Sequence, residues 1–161
     1  GPRVQALEDK AARYFGVRNA VAVNSWTSGL VASVGAVGVE PGDEIITTPW
    51  TMAASATAIL HWNAIPVFAD IDPKTLSMDT EEVLAKITPR TRAVFLTHVL
   101  GFSGLTRKLL DELKARRIPL IEDVCESHGA TFEDGYRAAE VCDAIVRSGA
   151  NGSRETVAYR S

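Results

Sequence analysis

The sequence predicts an α/β protein built on a mostly parallel, doubly wound sheet. Between residues 4 and 121, short apolar runs alternate with stretches of helical period. Each run is nearly continuous in apolar residues and does not alternate with polar ones, as expected of strands covered on both faces. The segments between runs are long enough to hold a helix each, which parallel pairing requires. At 161 residues and 46% hydrophobic content the chain can build one domain with a sizeable core.

The elements follow in order. Val4, Leu7, Ala11 and Tyr14 recur at helical spacing and stop at Gly16, a suitable C-terminal cap. Strands are predicted at Ala20–Val23, Glu44–Thr47, Pro66–Ala69, Ala93–Thr97 and Pro119–Ile121. Helices are predicted at Thr27–Val37, Met52–His61, Thr80–Ile87 and Arg107–Arg116. The third is opened by Thr80 as its cap, with Glu81 and Glu82 favourable in the first turn. Gly35, Gly38 and Gly42 read as helix stop and turn. In such sheets ligands sit beyond the carboxyl ends of the strands. That directs attention to Asn24–Ser28, Thr48–Met52, Asp70–Asp72, His98–Gly101 and Glu122–His128.

Charge narrows the partners. Seventeen basic residues against twenty acidic ones give a net −3 with no basic run, which argues against nucleic acid or an anionic membrane and for a small molecule. Cys125 and Cys142 form no framework and suit a reducing, cytoplasmic setting.

"NSWTSGL", residues 24–30, places Thr27 and Ser28 in the first turn of a helix. Free backbone N–H groups and the positive dipole end attract an anion there, and two hydroxyls add donors. Ordinary capping by Ser25 or Thr27 explains the same residues equally well. No GxGxxG or GxxxxGK[ST] run points to a dinucleotide or P-loop site. In "LIEDVCESHGATF", residues 120–132, Asp123 directly follows a strand, where a carboxylate can meet a cationic heterocycle or a metal, or cap a turn. His98, Asp123, Cys125 and His128 lack an established zinc spacing, so no metal is expected. Ser127 beside His128 is no nucleophile–base pair by adjacency alone. His61 and Trp62 close an apolar helix and read as packing residues.

Taken with "AVAVNSWTSGL", "EPGDEIITTPWTMAASATAIL", "PVFADIDPKTL" and "ITPRTRAVFLTHVLG", in that order and spacing, this segment resembles the DegT/DnrJ/EryC1/StrS family of pyridoxal-phosphate-dependent sugar aminotransferases. The resemblance covers residues 1 to about 135. It implies the incomplete large domain of a fold type I pyridoxal-phosphate enzyme, using pyridoxal or pyridoxamine 5′-phosphate. Such an enzyme moves an amino group from an amino-acid donor to a nucleotide-linked keto-sugar, as a homodimer, in polysaccharide or secondary-metabolite sugar synthesis. By the same resemblance Thr27 and Ser28 hold the cofactor phosphate, Asp123 pairs with the pyridine nitrogen, Met52 covers the ring face, and Glu126 lies near the phenolic oxygen. For Met52 the competing reading is a core methionine at a helix start.

Several positions depart from the family pattern. Glu126 stands where the aminotransferases commonly carry Gln, and an ionised carboxylate there repels a phenolate unless protonated or turned away. Asp123-Val124-Cys125-Glu126 is also similar to the family's sugar 3-dehydrases. Trp26 replaces a smaller residue, as a lid on the sheet edge or a cofactor contact. No lysine matches the one that carries the cofactor covalently: Lys10, Lys74, Lys86, Lys108 and Lys114 all sit in polar helical or turn segments. Residues 136–161 match no family segment and read as a foreign or disordered tail. The expectation is therefore a fragment with no catalytic residue of its own, inactive alone, or a non-catalytic binding remnant.

Overall fold

The computed structural model describes residues 1–101 and 103–127. The element order is α1 (Pro2–Phe15), α2 (Trp26–Ala36), β1 (Glu44–Thr47), α3 (Ala53–Leu60), β2 (Ile65–Phe68), α4 (Thr80–Ala85), β3 (Thr91–Thr97), α5 (Arg107–Arg116) and β4 (Leu120–Asp123). The four strands form one parallel sheet in the order β2-β1-β3-β4.

Alternation along the buried strands divides the core in two. Ile45, Ala93, Phe95 and Ile121 face α2 and α3, where they pack with Leu30, Val34, Ala58 and Ile59. Ile46, Val94 and Leu96 face the opposite side and pack with Val83, Leu109 and Leu113 of α4 and α5. The sheet is thus doubly wound. The chain runs from β1 outward to β2 through α3, then back past β1 to β3 through α4 and on to β4 through α5. Crossovers of one hand demand that the helix of the reversed step lie on the other face, as α3 does. Loops after β1 and β3 leave in opposite directions, so a crevice opens between the carboxyl ends of these two strands.

Local chemistry fixes the ends of the elements. Gly16 closes α1 in the left-handed region at φ 64°, as its position predicts. Thr106 caps α5. The cap of α4 is Asp79 and not Thr80: its carboxylate takes the amides of Glu81 and Glu82, a stronger acceptor one residue earlier, while the Thr80 hydroxyl pairs with that of Thr106. Pro66 sits in edge strand β2, where a missing N–H costs least. Gly35 lies inside α2, because Trp62 lies against it: a Cβ there would come within 2.3 Å of the indole, whose N–H bonds the Val31 carbonyl at 2.9 Å. Trp62 is therefore a packing residue, as expected, holding α3 to α2.

One predicted strand is absent. Residues 20–23 have no regular structure; the Ala22 amide is taken by the Glu8 carboxylate and Val21 is 78% exposed. An apolar run becomes a strand only beside a ladder partner, and among the described residues none pairs with it. Boundaries elsewhere move by one or two residues, β3 starting at Thr91 and β4 ending at Asp123. His128, Cys142 and the tail 136–161 lie outside the described residues.

Candidate functional site

At the crevice between β1 and β3 lies a cavity of about 480 Å³, lined chiefly by Trp26 and Thr27 of α2, Trp50, Thr51 and Met52 after β1, Leu100 after β3, and Asp123, Cys125 and Glu126 at the end of β4. Four of the predicted ligand edges, after residues 23, 47, 97 and 121, thus meet at one place. The segment Asp70–Asp72 contributes no lining residue and instead forms a turn, bridged between Ile71 and Met78.

The predicted site residues fall as follows. Ser25 caps α2, its hydroxyl accepting the Ser28 amide at 3.2 Å, so ordinary capping does operate, but through Ser25 and not Thr27. Thr27 in the first turn lines the cavity and is exposed to it. The Ser28 hydroxyl donates to Asn24 Oδ1 at 2.8 Å and lies 2.9 Å from Ser25 Oγ, in a polar knot just outside the lining. Met52 is 70% exposed and lines the cavity, which removes its reading as a core residue. Glu126 is tied down, Oε2 accepting the Leu100 amide at 2.7 Å in a turn where Leu100 takes φ 55°.

Asp123 is the centre of the polar network. It is 2% exposed, and its neighbours are all uncharged donors: the Trp26 indole N–H at 2.8 Å, the Cys125 amide at 3.2 Å and the Ser55 hydroxyl at 3.3 Å. Ser55 continues to Thr51 at 3.0 Å, and Thr51 to Thr97 at 3.2 Å. No ion pair among the described residues includes Asp123. Beside it, burial first and the Asp123 carboxylate second push the Cys125 thiol up to about 11.

The loop after β3 is held from below. His98 is fully buried; its Nδ1 accepts the Gly104 amide at 3.2 Å, which leaves Nε2 protonated to donate to Glu122 at 3.0 Å. His98 thus supports the cavity rim. No group of three or more His, Cys, Asp or Glu suited to a metal occurs among the described residues.

Sequence reasoning missed Ser55 and Thr97, and gave Thr51, within the predicted edge Thr48–Met52, no role. Thr51 and Ser55 stand four residues apart where α3 begins, a polar pair on one face of an otherwise apolar helix, which was a usable signal. Thr97 gave none, since a strand-end threonine is ordinary. Each of the five lysines lies in a helix or turn as predicted, and none lines the cavity.

A model of the DegT/DnrJ/EryC1/StrS aminotransferase family matches residues 1–157. The chain belongs to that family. Among its relatives, the spore coat polysaccharide biosynthesis protein SpsC of Bacillus subtilis is 40% identical over 133 residues, 83% of this chain and 34% of SpsC. The L-glutamine:2-deoxy-scyllo-inosose aminotransferase of Streptomyces kanamyceticus is 39% identical over 134 residues, 81% of this chain and 31% of that enzyme. The crystal structure of GDP-4-keto-6-deoxymannose-3-dehydratase with a trapped PLP-glutamate geminal diamine matches with a TM-score of 0.76 at 29% identity, covering 83% of this chain and 36% of that one. The chain spans about a third of the length of the curated relatives it matches. No helix among the described residues is long and apolar enough to cross a membrane.

Proposed function

We propose that this chain supplies the phosphate- and ring-binding part of a pyridoxal-phosphate-dependent, cytoplasmic sugar aminotransferase, acting on a nucleotide-linked keto-sugar with an amino acid as donor. The observation that carries the reading is Asp123: a buried carboxylate with only neutral donors among the described residues, lining a cavity that the first turn of α2 also lines. A charge so buried is costly without a cation, and a protonated pyridine supplies one. The first-turn amides of α2, with the Thr27 hydroxyl and Ser28 beside it, suit the phosphate at the other end of the same molecule. The residues present therefore fit the cofactor.

When bound, the cofactor supplies an electron sink for removing a proton next to an amino group. The chain's own residues bind, orient and shield. Asp123 keeps the ring nitrogen protonated, the Ser55–Thr51–Thr97 hydroxyls hold Asp123 in place, and Met52 with Trp50 covers the ring. Glu126 is fixed by the Leu100 amide on Oε2, which sets where its carboxylate stands at the cavity wall. By the family resemblance the whole enzyme is read as a homodimer, and the exposed Trp26, Trp50 and Met52 at the cavity suit cover by a second subunit or by further segments of the enzyme. With no lysine at the cavity, the chain alone holds the cofactor reversibly and does not turn over. The matching 3-dehydratase and the Asp-Val-Cys-Glu string favour sugar 3-dehydration as the second reading.

Calorimetric titration with pyridoxamine phosphate tests the reading. Asp123→Asn and Thr27→Ala should each weaken binding about tenfold, the loss of one charge-assisted hydrogen bond, while the fold is kept. Equal affinity in all three chains would remove both residues from the site.

A further inference from the structure

The hydrogen bonds on Asp123 are divided unevenly between its two oxygens. Oδ1 accepts the Trp26 indole N–H at 2.8 Å and the Cys125 amide at 3.2 Å, whereas Oδ2 accepts the Ser55 hydroxyl at a long 3.3 Å. Each oxygen of an ionised carboxylate offers about two acceptor sites, so Oδ1 is filled and Oδ2 keeps room for another donor. Trp26 stands at the start of α2 and Asp123 at the end of β4, so this bond also ties the helix carrying Thr27 and Ser28 to the strand carrying the carboxylate.

We propose that Trp26 is a positioning residue. Its indole N–H occupies Asp123 Oδ1, fixes the rotation of the carboxylate, and leaves Oδ2 as the acceptor for a cationic ring N–H in the cavity. This rests on the reading of Asp123 as the partner of a pyridinium. A tryptophan that merely walled the cavity would act on any flat ring of the right size. One that works through Asp123 acts only on a ring with a protonated nitrogen.

Two probes separate these roles: pyridoxamine phosphate, and its analogue with carbon in place of the ring nitrogen. The unmodified chain should bind the pyridine probe more tightly. Trp26→Phe, which keeps an apolar ring and loses the N–H, should cut that preference about tenfold and leave the carbon analogue within twofold of its original affinity. In the Asp123→Asn background the same substitution should change the preference no further. If Trp26→Phe keeps the full preference, the positioning role is overturned while the Asp123 reading stands. If the unmodified chain shows no preference, the Asp123 reading fails and takes this proposal with it. Should Trp26→Phe not fold, the indole N–H resonance of Trp26 in otherwise intact chains decides. It should move on Asp123→Asn and on addition of pyridoxamine phosphate, and a resonance unmoved by both overturns the proposal.

Discussion

Asp123 shows how a residue's role follows from its surroundings. A carboxylate at the end of a strand is ordinary; one that is 2% exposed, with an indole, an amide and a hydroxyl as its neighbours, is what the proposed pyridinium partner rests on. The same carboxylate marks its neighbour. Cys125 is raised to about 11 by burial and by Asp123, so at pH 8 its thiolate fraction is about a hundredfold below that of an ordinary cysteine. Alkylation with iodoacetamide, followed at the Cys125 peptide by mass spectrometry, should be correspondingly slow and should quicken in Asp123→Asn. A rate like that of an exposed thiol in the unmodified chain would contradict the half-buried setting of Cys125 beside Asp123. At this scale the places of Asp123, Thr27 and Met52 at the cavity were legible, Asp123 and Met52 because they lie at or just after the ends of β4 and β1, Thr27 because it opens a helix. The hydroxyl chain from Ser55 to Thr97 was not, since it joins residues far apart in sequence through side chains of commonplace type.

The elements were legible where they carry their own stop signals and less so where a partner decides. Gly16 and the caps lie in the sequence next to the helices they end. The run at residues 20–23 has strand composition, yet with no neighbouring strand its amide at Ala22 turns to Glu8. Gly35 reads as a helix stop until Trp62, brought in by the packing of α3 on α2, is seen to need the space. At the other end of the sheet, Glu44 opens β1 nearly buried, taking the Thr88 hydroxyl and the Arg90 guanidinium. Those hydrogen bonds, Thr88 first and Arg90 next, hold its carboxyl below the usual range. A depressed folded-state value means that the stabilisation is present above the ordinary carboxylate range and is lost as pH falls through the folded value. Thermal melts between pH 6 and 3 should show this acid-dependent loss, and Glu44→Gln should be less stable at pH 6 with a flatter acid limb. An unchanged limb would show that Glu44 does not couple to folding.

For the whole molecule, the arrangement of strands does what no single residue can. The order β2-β1-β3-β4 sends the loops after β1 and β3 apart, and the opening so made gathers Thr27, Met52, Asp123 and Glu126 from three separated segments. The parallel sheet and its two covered faces were readable from the alternation of apolar runs and helical periods. The strand order was not, because the runs do not encode which neighbour each one takes. The central claim is that this opening holds a pyridine ring whose nitrogen is kept protonated by the Asp123 carboxylate. Pyridoxamine phosphate labelled with ¹⁵N in the ring, bound to the chain and observed by NMR at a pH where the free compound has an unprotonated ring, measures this directly. The account predicts the protonated pyridinium shift in the unmodified chain and the unprotonated one in Asp123→Asn. An unprotonated ring nitrogen in the bound, unmodified chain would contradict it.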